Sequence, residues 1–354
     1  MKPHAGMRLA QMGIVLLLLL AAWTIGYADG PLSHDVRPGY GVSDIQWLSD
    51  YLPALRGTPG DTPIYVMQGQ EPGGVALILG GTHANEIAGI MAAVLLVERG
   101  SVQRGTVFVI PHANNSASRI NSGVYNATSP QSFELTNALG EVRWFHYGDR
   151  RTQPEDQEPD PDVFVHEPSG LELPGDEARN LNRNHPGKAD GTLTQQISFA
   201  LFALVNNENV DVLVDMHEAS LYSRLSNMLV SHPRAVDIAA FTVLDLETEG
   251  LALKQEVSSE EYFGLSHREF GDRTNAFAFL IESSNPGQEA SIENPDVVND
   301  PRSPLSDRVY LQLRTIETIL ANHALLEGSA RAIAFAFPFA VGDLLGADLG
   351  LFLR

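Results

Sequence analysis

Apolar residues recur in two rhythms along this chain of 354 residues. Short, nearly unbroken apolar runs lie at 63–67, 75–79, 106–111, 210–216 and 276–282, the length and character of buried strands. Between them run longer stretches with apolar positions at helical spacing, at 87–98, 194–207, 234–247 and 307–326. The last carries Val309, Leu313, Ile316 and Leu320 on one stripe, starts after Pro304 and stops at Gly328. Strands alternating with helices predict an α/β fold with a mostly parallel sheet and helices on both faces. Two stretches break the rhythm. Residues 149–180 and 285–305 are dense in proline and acid and are expected to be loops bordering a pocket.

The ends of the chain read differently. Residues 1–28 combine a basic start (Lys2, Arg8), an apolar run from Gly13 to Trp23, and small residues at Gly26 and Ala28. That order predicts a secretory signal peptide cleaved after Ala28, hence a periplasmic or extracellular protein. An uncleaved membrane anchor is the alternative, although the run is short of the roughly 20 residues a span needs. Residues 29–60 read as a lead-in segment, 61–330 as the main domain, and 331–354 as an apolar tail supplying a final strand and helix to the core.

Composition narrows the chemistry. Apolar residues make up 44% of the chain, enough for a substantial core, and the formal charge is −21. Such acidity excludes a general basic footprint for nucleic acid. Cysteine is absent, so there is no disulfide, no thiol nucleophile and no thiolate metal site. A metal ion would have to be held by histidine and carboxylates.

Four short stretches carry candidate chemistry. In "LGGTHANEIAG" (79–89) a strand reaches a Gly-Gly turn, and His83 and Glu86 follow one helical turn apart. They read as two metal ligands or as a capping glutamate beside an unrelated histidine. In "VDVLVDMHEAS" (210–220) the strand is expected to stop at Asp215, with His217 just beyond. Ligands bind at the carboxyl ends of parallel strands, and two His with one Glu leave a fourth position open, as in catalytic zinc sites. In "FAFLIESSNPG" (277–287) Glu282 ends an apolar strand, either as a salt-bridge partner of Arg273 or another arginine or as a general base. In "EARNLNRNHPG" (177–187) Asn182 and Arg183 form either a surface loop or a grip for a carboxylate.

Taken in order, "GGTHANE", "NLNRNHPG", "DMHEAS" and "FLIESS" resemble the zinc carboxypeptidase superfamily, in particular its succinylglutamate desuccinylase/aspartoacylase branch, over roughly residues 63–285. The resemblance implies a three-layer α/β sandwich with a mixed, mostly parallel central sheet. It implies one zinc ion held by His83, Glu86 and His217, with Glu282 as the catalytic carboxylate. Asn182 and Arg183 would clamp the substrate carboxylate, with Arg179 beside them. A separate arginine polarises the scissile carbonyl in that family; Arg119, after the strand end "VIPHANN", is the first choice here, with Arg179 and Arg150 as alternatives. Tyr262 matches the tyrosine expected near the leaving group. Asn180 stands where the family often has aspartate. The implied activity is an exported zinc-dependent amide hydrolase acting beside a free carboxylate. Its substrate would be an N-acyl amino acid or a short peptide, making it a deacylase or a metallocarboxypeptidase. A non-catalytic exported binding protein on the same fold is the third reading.

Overall fold

The apolar runs become the centre of one sheet. The computed structural model describes residues 34–119, 132–157 and 159–354. The signal-peptide segment lies outside the described residues, and no helix within them is long and apolar enough to cross a membrane. In chain order the elements are β1 (Asp44–Trp47), β2 (Pro63–Gln68), β3 (Glu71–Leu79), α1 (Ile87–Arg99) and β4 (Ser101–Ile110). Two hairpins follow, β5 (Ser132–Thr136) with β6 (Val142–His146) and β7 (Val163–His166) with β8 (Leu171–Pro174). The second half holds α2 (Leu193–Asn207), β9 (Val212–Ser220), β10 (Met228–Ser231), α3 (Val236–Thr248), β11 (Lys254–Val257), α4 (Ser266–Arg273), β12 (Phe277–Asn285), α5 (Leu305–Glu327) and β13 (Ala334–Ala336).

Among the described residues, nine strands form a mixed sheet in the order β1-β2-β4-β3-β9-β12-β10-β11, with β13 added beside β4. The middle four, β4, β3, β9 and β12, are mutually parallel. Alternation along the strands divides the core. Val214, Met216, Phe279 and Ile281 pack with α1, α3 and α5 on one face. Leu77, Leu213, Ala276 and Ala278 pack with α2 and Phe270 of α4 on the other. The result is a three-layer α/β sandwich with a mixed central sheet. Helix α1 is buried from Ile87 to Glu98, as a helix apolar all round must be. It lies so close to β9 that a Cβ on Gly89 would stand 2.7 Å from the Cβ of Met216.

The expected strands and helices are present, the β7–β8 hairpin forms within 149–180 where a loop is expected, and two further kinds of difference stand out. β9 and β12 run past their expected ends, so His217 and Glu282 sit inside strands rather than just beyond or at the end of one. The tail forms β13 and two 3₁₀ turns, Val341–Leu344 and Leu349–Phe352, where a strand and a helix are expected. Three glycines in that stretch, Gly342, Gly346 and Gly350, interrupt any helical run.

Several histidines are sealed in neutral form. Burial lowers His185 and His267 to about 3, and holds His112 well below the usual imidazole value. At these three positions the native state then binds fewer protons than the unfolded chain once pH falls below about 6.5. Their contribution to stability is complete above that pH and is lost progressively down to about 3. The raised His217 and Glu282 act the other way and reduce the net effect. The melting temperature is expected to fall by roughly 5–10 °C between pH 7 and pH 5, and a flat profile by calorimetry would contradict it.

Candidate metal and hydrolytic site

From β3 the chain turns to β4 on one side of the sheet, and from β9 it proceeds towards β12 on the other. The crevice between β3 and β9 is therefore a topological switch point, where α/β sheets bind ligands at the strands' carboxyl ends. β3 stops at Leu79, paired with Asp215, while β9 continues to Ser220. The loop 80–86 crosses this overhang. Gly81, with φ of +67°, makes the turn, and the first residue before α1 is Glu86. The overhanging strand leaves the N–H of Glu218 without a β3 partner, and it donates to Glu86 Oε2 at 3.1 Å.

Three of the expected side chains converge here. Glu86 bridges the two imidazoles. Its Oε1 lies 2.8 Å from Nδ1 of His83 and its Oε2 lies 2.7 Å from Nδ1 of His217. The rings meet edge to face with centroids 4.8 Å apart. Candidate ligand atoms of all three lie within 4.8 Å of one another. The far side of each ring is also occupied. Nε2 of His83 faces Asn180 Oδ1 at 2.9 Å. Nε2 of His217 lies 2.8 Å from Asp215 Oδ2, out of line for a hydrogen bond. Asp215 is held in turn by the hydroxyls of Thr82 and Ser266, which donate at 2.8 and 2.5 Å. Outer carboxylate or amide partners of this kind orient histidine ligands at metal sites.

The electrostatics ask for a positive charge at the centre of this group. Against the cost of burial, Asp215 and Glu86 raise His217 well above the usual imidazole value. Burial also opposes ionisation of Glu86, yet the two histidines hold it well below the usual carboxylate range. Burial and then the Arg150 charge lower His83 to about 4. A divalent cation would supply the charge that a proton on His217 otherwise provides. The donor set, two imidazoles and a carboxylate, is one that zinc accepts. These residues fit a metal ion.

A cavity of about 500 Å³ opens beside the group and brings in four more of the expected residues. Asn182, Arg183, Tyr262 and Glu282 line it together with the three candidate ligands. Glu282 is the register partner of His217 on the adjacent strand, so both point to the same face. Its Oε2 has neither solvent nor a hydrogen-bond partner. Burial pushes its carboxyl up to about 8, with the charge of Glu86 adding to the shift. Asn182 spends its Oδ1 on the N–H of Ser266 at 2.7 Å, which pins the start of α4 beside Arg183. Tyr262 donates its hydroxyl to Glu256 at 2.8 Å.

Two expected residues are placed elsewhere. Arg119 is not among the cavity-lining residues; its guanidinium pairs with Asp156, which Ser116 also holds. Arg179 is likewise absent from the lining and is committed to Asp160 at 2.8 Å and to the Thr152 carbonyl at 2.7 Å. Arg150 stands in the cavity instead, 3.5 Å from Glu86 Oε1 and 35% exposed. Backbone pairing brings it there. The Ala84 N–H donates to the Asp149 carbonyl at 2.9 Å, and the Asp149 N–H donates to Ala117 at 2.8 Å. Nothing in the spacing of residues signals this pairing, which joins two loops distant in sequence.

No family model matches the chain, and no curated protein matches it. Among solved structures it is similar to the product-bound cell shape determinant protein Csd4 from Helicobacter pylori, at 14% identity and a TM-score of 0.48, covering 80% of this chain and 58% of that one. It is also similar to a succinylglutamate desuccinylase from Silicibacter, at 14% identity and a TM-score of 0.45, covering 82% and 70% of the two chains. An aspartoacylase family protein from Mesorhizobium loti is similar at 16% identity and a TM-score of 0.42, covering 86% and 73%. The chain thus spans less than two thirds of the length of Csd4.

Proposed function

We propose that this chain is an exported, zinc-dependent hydrolase that cleaves an amide bond beside a free carboxylate, acting as an N-acyl amino acid deacylase. The observation that carries the reading is one cavity lined by the His83–Glu86–His217 group, the unpartnered carboxylate of Glu282 and the guanidiniums of Arg150 and Arg183. His83, Glu86 and His217 would hold the ion. When bound, zinc supplies Lewis-acid chemistry, polarising a carbonyl and acidifying water.

The remaining roles belong to side chains of this chain. Glu282 takes the proton of the attacking water and returns it to the leaving nitrogen; a carboxyl near neutrality suits both transfers. Arg183 grips the substrate carboxylate through its planar fork. Burial lowers its pKa, and nearby Arg150 adds to the shift, so an anionic partner relieves an under-compensated cation. Arg150 faces the metal-binding group and donates to the carbonyl oxygen as negative charge develops there. Cleavage of short peptides is the second reading, favoured by a cavity of about 500 Å³, which has room for more than a small acyl amino acid.

A panel of N-acyl amino acids and di- and tripeptides, incubated with the zinc-loaded protein, tests both readings. Turnover is expected only for substrates with a free carboxylate next to the scissile amide. It should be abolished by a chelator and restored by zinc. Peptide cleavage without deacylation would transfer the assignment to a carboxypeptidase. No turnover by zinc-loaded protein across the panel would leave a binding protein.

A further inference from the structure

We propose that Glu218 is a positioning residue that sets the geometry of the metal site from the opposite face of the sheet. The proposal rests on the reading of His83, Glu86 and His217 as metal ligands. Strand alternation is its starting point. On β9, His217 faces the cavity and Glu218 faces the layer containing α1 and α5. On β12, Glu282 faces the cavity while Ser283 and Asn285 face the same way as Glu218. Each residue pair thus puts a reactive group on one face and a buried polar group directly behind it.

The Glu218 carboxylate is filled on both oxygens. Oε1 accepts from Arg308 Nη1 at 2.6 Å and from the Ser283 hydroxyl at 3.2 Å. Oε2 accepts from the Ala88 N–H at 3.0 Å and from Asn285 Nδ2 at 2.9 Å. Asn285 Nδ2 also donates to the carbonyl of Asn85 at 3.0 Å. Asn85, just before Glu86, and Ala88, two residues after it, are therefore tied to one carboxylate and its amide partner. The N–H of Glu218 itself donates to the Glu86 side chain. The second ligand strand is held from the same side, where Gln312 Nε2 donates to the carbonyl of His217 at 2.8 Å and to Ser283 at 3.2 Å.

Glu218 therefore joins two ligand-bearing segments that share no backbone pairing at this point, the start of α1 and the overhang of β9. Arg308 Nη1 meets the buried Glu218 carboxylate at 2.6 Å. A buried ion pair is weak evidence for stability, because desolvation offsets much of the attraction. What distinguishes this one is where its hydrogen bonds go. Glu218 reaches the ligand segment directly through two bonds, to the Glu86 side chain and from the Ala88 N–H, and its partner Asn285 adds a third to the Asn85 carbonyl. Replacing carboxylate by carboxamide turns one acceptor oxygen into a donor facing either Arg308 and Ser283 or Ala88 and Asn285. The Glu86 segment can then shift while the sheet stays intact.

The test compares zinc affinity in folded wild type and Glu218→Gln by competition with a chromophoric chelator, alongside the absorption spectrum of the cobalt-loaded forms. Loss of an outer-shell partner typically weakens metal binding about 10–100-fold, and that loss with a changed cobalt spectrum is the expected result. A variant that is folded, less heat-stable, and equal to wild type in zinc affinity and cobalt spectrum would overturn the proposal, leaving Glu218 a core residue. If Glu218→Gln does not fold, Asn285→Ala removes the bridge between Glu218 and Asn85 more gently, and unchanged zinc affinity there overturns it equally. A wild type that binds no zinc would instead remove the metal reading, and this proposal with it.

Discussion

Glu282→Gln is expected to lower kcat by about 10²–10⁴-fold while zinc affinity stays within a few-fold of wild type. The range is the usual share of general acid–base catalysis. The separation of effects follows from position. Glu282 is across the strand pair from His217, in register with it, and is not one of the three converging ligands. The amide has nearly the same shape as the acid, and the backbone around it is locked in β12 between β9 and β10. What is lost is a proton acceptor whose Oε2 has no other partner to satisfy. Steady-state kinetics with zinc titration would check it. Near wild-type kcat in Glu282→Gln would remove this carboxylate from the mechanism.

The same strand shows what a sequence can and cannot convey. The run at 276–282 is legible as a strand because its residues are apolar almost without break, which only burial on both faces explains. Its continuation through Ser283, Ser284 and Asn285 is not, since polar residues ordinarily end such a run. They stay in the strand because partners from elsewhere satisfy them, with Ser283 and Asn285 bonded to Glu218 and Ser284 near Ser303. β9 repeats the lesson, for Asp215, His217 and Glu218 are polar, almost wholly buried, and paired with residues from loops and helices far along the chain. β11, with the sequence KQEV, has no apolar run to announce it and forms because β10 offers an edge. Local chemistry is better preserved. His83 and Glu86 sit three residues apart at a strand–helix junction, so their meeting needs no distant information. The two arginines that miss the cavity, Arg119 and Arg179, pair with Asp156 and Asp160 instead. Arg150 is carried to the cavity by backbone hydrogen bonds between residues 84, 117 and 149, which leave no residue-type signature.

Arg150 and Arg183 are expected to fail in different ways. Arg183 lies 100 residues from His83 in sequence, but α4 holds it at the cavity wall through Asn182 and Ser266. Its Nη1 donates to the Asn182 carbonyl at 2.6 Å, and the carboxylate of Glu177 is 3.8 Å from its Nε, too far for a hydrogen bond. Much of its fork is therefore free, and on the proposed reading it would hold a substrate carboxylate in the ground state and the transition state alike. Arg183→Ala should raise KM by about 10–100-fold, the loss expected for a charged hydrogen-bonded contact. Arg183→Lys should recover little, because an ammonium cannot offer two parallel bonds. Arg150 sits against Glu86, where on the proposed mechanism charge would grow only as the carbonyl is attacked. Arg150→Ala should lower kcat by about 10²–10³-fold, as for removal of one oxyanion donor, with a smaller effect on KM. Kinetics of the three variants on one cleaved substrate separate the roles. An unchanged KM in Arg183→Ala removes the carboxylate grip, and an unchanged kcat in Arg150→Ala returns the carbonyl-polarising role to another group. Arg119→Ala is the control: with its guanidinium on Asp156 and outside the cavity lining, it should leave both constants near wild type.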